Sequence, residues 1–239
     1  MFAYDAAIIE RFPTIRAAVI HTTGLSNGPS SPDLLAEYRA EQRAAIERLA
    51  ATPIADIPSI AAWRRVFSAF GVKPTQHRNA AESLLRRLDK QGDIPTISTL
   101  VDLGNLIANR YALPVVVLDL AGIAGSTTVR FADGTERFTD LGSDEPVHPE
   151  PGEVVFVDAD GVASARRWCW RQSAQSATSA TTVAAMIVVE GHHESAALDL
   201  VLALADLVSL LTRYQPDSQI TTYPLSPDNP QTGTAFRSA

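Results

Sequence analysis

Residues 97–119 read ISTLVDLGNLIANRYALPVVVLD, and the fold turns on where this stretch changes period. Ile97, Leu100, Val101, Gly104 and Ile107 recur every three or four residues, which places them on one apolar face of a helix. Past Pro114 that spacing collapses into Val115-Val116-Val117-Leu118-Asp119, a continuous β-branched run that predicts a buried strand. Helical periods dominate before this point and strand signals dominate after it.

Upstream, Ser31-Pro32-Asp33 supplies a capping hydroxyl, a first-turn proline and a carboxylate at the positive end of a helix that runs to Leu49. A short helix is expected over 61–70, and Asn79 with Glu82 has capping-box spacing ahead of inward Leu84, Leu85 and Leu88. The first thirty residues predict a short helix, a strand over 14–23 and a Gly/Ser/Pro loop. Ser98, Asp102, Asn105 and Asn109 form a polar stripe on the 97–111 helix, expected to be its wet face.

Downstream, TTVRFADGTERF (127–138) predicts a hairpin turning at Asp133-Gly134, and 153–171 a second turning at Asp160-Gly161. A buried strand, MIVVEG (186–191), and an amphipathic helix over 194–214 complete the pattern. The order predicts an α+β fold, a mostly antiparallel sheet flanked by helices, in a single domain over 1–214. Residues 215–239 lack an apolar period and are expected to form a flexible tail.

Apolar residues make up 46% of the chain and charged residues 20%, the balance of a soluble globular protein. Asp5 and Glu10 come too early for a secretory leader, and Asp199 and Asp206 interrupt the longest apolar run, so a cytoplasmic protein without a membrane span is expected. One cysteine, Cys169, excludes an internal disulfide. His192-His193-Glu194 has no metal-ligand spacing, and neither a metal nor a cofactor is expected. The net charge of −7 argues against sequence-blind nucleic-acid binding. Residues 63–90 nevertheless hold seven Lys/Arg against Glu82 and Asp89, a local +5 that leaves −12 for the remainder. Such an island either faces water or holds one anionic partner.

ARRWCWRQS (165–173) concentrates two tryptophans and three arginines. Strand alternation would put Arg166, Trp168, Trp170 and Gln172 on one face and Arg167, Cys169 and Arg171 on the other. The stretch is then either an outer strand covering core or a stacking and phosphate-binding wall. QSAQSATSATT (172–182) reads as a flexible loop or as the small-residue wall of a pocket.

In order along the chain stand Trp63-Arg64, Gly71-Val72-Lys73-Pro74, Val101-Asp102-Leu103-Gly104-Asn105, Val117-Leu118-Asp119 and Val129-Arg130-Phe131-Ala132. Asp133-Gly134, Val157-Asp158-Ala159-Asp160-Gly161, Ser176-Ala177-Thr178 and Val188-Val189-Glu190 follow. Over 63–191 this series resembles the B3/B4 domain, the tRNA-binding and editing module of the phenylalanyl-tRNA synthetase β subunit. Arg78, Glu82, Leu84 and Arg86 also match a helix found in free-standing members. The resemblance implies an aminoacyl-tRNA partner and water-driven cleavage of a mischarged ester, with the neighbouring ribose hydroxyl assisting and no metal required. It implies that Lys73, Arg78 and Arg86 approach the acceptor end, with Glu82 and Asn105 also among the substrate-binding residues. Asp160 (or Asp158), Thr178 and Thr181 would fall near the pocket, with Arg171 and Gln172 as donors on its rim.

Two departures limit the resemblance. Val115 and Val116 stand where the synthetase has Met-His, and Trp170-Arg171-Gln172-Ser173 replaces its Gly-rich turn. Tyrosine specificity is therefore not expected. A non-catalytic binder of tRNA ends or amino acids, or reuse of the fold for a small metabolite, stays open.

Overall fold

The two N-caps, Ser31 and Asn79, act as the sequence predicts. Ser31 Oγ accepts from Leu34 N at 3.2 Å, Asn79 Oδ1 accepts from Glu82 N at 2.9 Å, and Gly92 ends the second of these helices at φ +79°. The computed structural model describes residues 1–233. Its first half contains β1 (Phe2–Tyr4), α1 (Ala6–Arg11), β2 (Arg16–Thr23), α2 (Pro32–Ala51), α3 (Pro58–Ala69), α4 (Ala80–Gln91) and α5 (Thr99–Tyr111). Then come β3 (Val115–Asp119), β4 (Thr127–Phe131), β5 (Phe138–Thr139), β6 (Pro146–Val147), β7 (Val154–Val157), β8 (Ala163–Arg166) and β9 (Arg171–Gln172). β10 (Ala184–Gly191), α6 (Ala196–Tyr214) and β11 (Gln219–Leu225) close the described chain.

A four-stranded antiparallel sheet, ordered β11-β2-β10-β3, forms the middle layer. Its alternation divides the core. Ala18, Ile20, Val117, Ala185, Ile187 and Val189 face α2, α4, α5 and α6. Ala17, Val19, Val116, Leu118, Met186 and Val188 face α1, α3 and a second sheet, ordered β1-β4-β7-β8-β9. Both faces of β3 are therefore covered, which is why its run is apolar without alternation. The fold is α+β, and its strands pair antiparallel except for β1, which pairs parallel with β4, beside an isolated parallel bridge between Arg137 and Val162. No helix among the described residues is long and apolar enough to cross a membrane.

Several expectations change. Residues 219–225, expected as flexible tail, pair antiparallel with β2 along Gln219–Leu225 and protect its edge. Of the expected tail, 234–239 lie outside the described residues. Residues 127–138 make no hairpin: β4 pairs with β1 and β7, while β5 pairs with β6. The 153–171 hairpin does form between β7 and β8. The polar stripe of α5 is not its wet face, for Asp102 and Asn109 are buried. Asp102 instead accepts from Ser30 Oγ at 2.6 Å, from Ile97 N at 3.0 Å and from Thr96 Oγ1, tying the 24–31 loop to the start of α5.

One close approach positions the later loops. A Cβ on Gly122 would lie 1.8 Å from the Gln175 carbonyl oxygen, so the turn after β3 and the 173–183 segment touch backbone to backbone. Gly122→Ala must push this contact apart. It should cost about 2 kcal/mol and lower the melting temperature by roughly 4–8 °C, measured by thermal unfolding; an unchanged midpoint would show the loop yields freely.

Candidate functional site

ARRWCWRQS does not alternate as a strand. β8 ends at Arg166, and Arg167 and Trp168 adopt left-handed φ of 45° and 60° before β9 begins. Two successive non-glycine residues in this region are strained, and surrounding contacts must hold them there. Trp168 is that anchor. It is fully buried, with Nε1 donating to Glu190 Oε1 at 2.8 Å, its N–H donating to the Val154 carbonyl at 2.6 Å, and Phe12, Trp63 and His192 packed on its ring.

Because the turn reverses the chain, Trp170 swings outward while Trp168 stays in the core. A cavity of about 90 Å³ opens beside it, lined by Ala80, Val115, Val116, Phe156, Ala165 and Trp168–Gln172. The guanidinium carbons of Arg167 and Arg171 stand 4.7 and 4.6 Å from the Trp170 ring centroid, and the His77 ring lies edge-on at 4.6 Å. Arg167 Nη1 donates to His77 Nδ1 at 3.2 Å. An arginine can only donate, so that nitrogen accepts and the imidazole is neutral. Desolvation and then Arg167 lower the His77 pKa, consistent with that state.

The basic arm reaches this cavity at one point. Ala80 N donates to the Cys169 carbonyl at 2.9 Å, joining the start of α4 to the turn. Much of the arm's charge is held internally. Buried Glu82 lies 2.7 Å from Arg64 Nη1, 2.8 Å from Arg86 Nε and 3.8 Å from Arg78 Nε. Buried Glu153 likewise takes Arg166 at 2.7 Å and Arg167 at 3.1 Å. Arg171 pairs with Asp140 at 3.0 Å, a half-exposed contact that is weakly held.

The expected site residues separate accordingly. Arg171 and Gln172 line the cavity. Gln172 Nε2 donates to the carbonyls of Val117 at 2.8 Å and Ser176 at 2.9 Å, so it braces the rim. Arg78, Glu82 and Arg86 form the cluster on α4, and Lys73 is exposed in the turn before it. Asn105 points toward the Tyr38 hydroxyl of α2, on the other side of the middle sheet. Asp160 is exposed at the β7–β8 turn. Its neighbour Asp158 is the structural carboxylate, accepting from Ala124 N and Val162 N at 2.9 Å and Asp160 N at 3.0 Å.

Thr178 and Thr181 do not line the cavity. Thr181 is exposed and bonded to Ser179, and the segment is fastened instead by Thr182 Oγ1 donating to Asp119 Oδ2 at 2.6 Å. The hydroxyl-rich wall is thus replaced by an aromatic and aliphatic one. His77, Asp140 and Glu190 are partners that sequence reading missed; only the V-x-E pattern pointed to Glu190. Desolvation and the Glu190 carboxylate push the Cys169 thiol well above its ordinary value, which leaves it un-ionised and a poor nucleophile. Among the described residues no cluster of His, Cys, Asp and Glu could hold a metal ion.

Comparison with curated protein sequences gives no match. Among solved structures, an N-terminal fragment of the phenylalanyl-tRNA synthetase beta-subunit from Pyrococcus horikoshii overlays with a TM-score of 0.46 at 12% identity. The alignment covers 94% of this chain and 53% of that one, so the chain spans about half the fragment's length. The sequence profile of the B3/4 domain, in contrast, matches residues 62–201. That match runs from within α3 into the start of α6, including the β8–β9 turn and every lining residue of the cavity, and the chain belongs to the B3/4 domain family.

Proposed function

We propose that the protein takes the aminoacyl end of a charged tRNA into the cavity beside Trp170 and hydrolyses the ester, acting in the cytoplasm as an editing factor. The observation that carries this reading is the shared border of the cavity and the basic arm at Ala80, which lines the cavity and whose N–H donates to the Cys169 carbonyl. A site that must hold an acyl group and its phosphates together needs that adjacency. In the step, water adds its hydroxyl to the acyl carbon, the bond from that carbon to the ribose oxygen breaks, and the remaining proton goes to the ribose oxygen. Arg171 swings from Asp140 to the carbonyl oxygen, where negative charge develops. The ribose hydroxyl next to the ester shuttles the proton.

Arg171→Ala is expected to lower the single-turnover rate of deacylation of mischarged tRNA about a hundred- to a thousandfold, the scale for one lost oxyanion donor. Wild-type cleavage no faster than in buffer would remove the hydrolytic reading.

A second reading rests on the internal pairing of Arg64, Arg86, Arg166 and Arg167 with buried carboxylates and on the net charge of −7. Both favour a free amino acid or small anion over a polyanion. Here tRNA fails to bind even at low salt, while the small ligand raises the melting temperature.

A further inference from the structure

We infer that the cavity is a side-chain pocket for small aliphatic aminoacyl groups of the valyl class and that it excludes aromatic ones. This rests on the reading above and narrows its substrate. An apolar cavity of about 150 Å³ accommodates benzene, about 25 Å³ for each of its heavy atoms. On that scale 90 Å³ holds about four heavy atoms. A valyl or leucyl side chain meets this limit, whereas a phenyl or phenol ring exceeds it.

The walls set polarity as well as size. Val116, Phe156, Ala165 and the two indoles offer apolar surface. Two donors of the lining are already engaged, Trp168 Nε1 by Glu190 and Gln172 Nε2 by the Val117 and Ser176 carbonyls, and Arg171 is taken by the acyl carbonyl in the reading above. A threonyl hydroxyl, the same size as a valyl methyl, would lose its water there without replacement.

The edge of β3 supplies the main-chain contacts. Glu190 N donates to the Pro114 carbonyl at 3.4 Å, so residues 114 and 116 bond toward β10 while 115, 117 and 119 face outward. Val117 O and Asp119 N use that outward side on Gln172 and Ser176. Val115 presents its own N–H and carbonyl on the same edge, beside the cavity it lines. An aminoacyl group seated there meets a donor for its carbonyl oxygen and an acceptor for its α-ammonium, as an added strand residue would.

The test uses the full chain and one tRNA carrying valine, threonine or phenylalanine, ester-linked for turnover and amide-linked for binding. The valyl ester should be cleaved at least about tenfold faster than the threonyl ester, and the phenylalanyl ester at the buffer rate. Val116→Ala trims a half-buried side chain of the wall and should raise the phenylalanyl rate at least about tenfold. Equal valyl and phenylalanyl rates overturn the size limit and leave hydrolysis standing. Equal valyl and threonyl rates overturn the aliphatic preference. If no ester is cleaved but the valyl amide binds at least about tenfold tighter than the phenylalanyl amide, the pocket stands and the hydrolytic reading falls. Equal binding, or none, overturns the pocket.

Discussion

Glu82→Ala is expected to destabilise the fold by about 3 kcal/mol, the low end of the range for breaking a buried ion pair. Glu82 is fully buried, and one of its oxygens gathers Arg64 and Arg86 at hydrogen-bond distance, with Arg78 at 3.8 Å. Removing the carboxylate leaves like charges facing one another across α3 and α4. The arginines are each a quarter or more exposed and recover part of their hydration, which keeps the loss at the low end. Glu82→Gln keeps the shape and an acceptor oxygen, and should cost less. Urea unfolding at neutral pH measures both. A loss below about 1 kcal/mol for the alanine variant would place the arginines in the class of surface pairs. The same variants test the spent charge of the arm: freeing one positive charge should strengthen tRNA retention at low salt and steepen its salt dependence.

At pH 8, Glu190→Gln is expected to be more stable than the wild type by up to about 3 kcal/mol, and at pH 4.5 to have no advantage. Burial raises the Glu190 pKa from 4.5 to about 7, although the hydrogen bonds from Trp168 and Tyr4 pull it down. The folded state holds its proton through a window in which the unfolded chain has lost it. Stability from this group is therefore fully present below pH 4.5 and is lost as pH rises to about 7; that interval converts to about 3 kcal/mol. His192 works in the opposite sense. Burial lowers its pKa to about 3, so its contribution is lost as pH falls from 6.5 toward 3. The two profiles overlap between pH 4.5 and 6.5 and partly cancel in the wild type. The difference between wild type and Glu190→Gln isolates the carboxylate, measured as denaturant midpoints across pH 4 to 9. A difference that does not grow with pH would show that Glu190 ionises without penalty.

The helices and the buried strands were legible because each carries its own period and its own caps. Ser31, Asn79 and Gly92 act locally, within a few residues of where they stand. The hairpin at Asp133-Gly134 misled because the turn signal is local while pairing is not: Val129 finds Tyr4 and Phe156, far away in sequence. β11 was missed for a related reason. An edge strand exposed along much of its length needs no apolar period, and only the open side of β2 makes 219–225 a strand.

The site divides in the same way. Composition alone singled out ARRWCWRQS, and the motif series singled out the family. Alternation then assigned its faces wrongly, because the left-handed Arg167 and Trp168 are held by Glu190, Val154 and a ring of aromatic side chains contributed by distant segments. Sequence determined the elements, the family and the residues worth watching, since these depend on neighbours a few positions apart. Tertiary structure alone decided which indole is core and which borders the cavity, that the arginines are largely neutralised by buried carboxylates, and that the cavity wall is apolar. Those outcomes are set by which atoms compete for the same buried space and the same buried charge, and no local spacing encodes that competition.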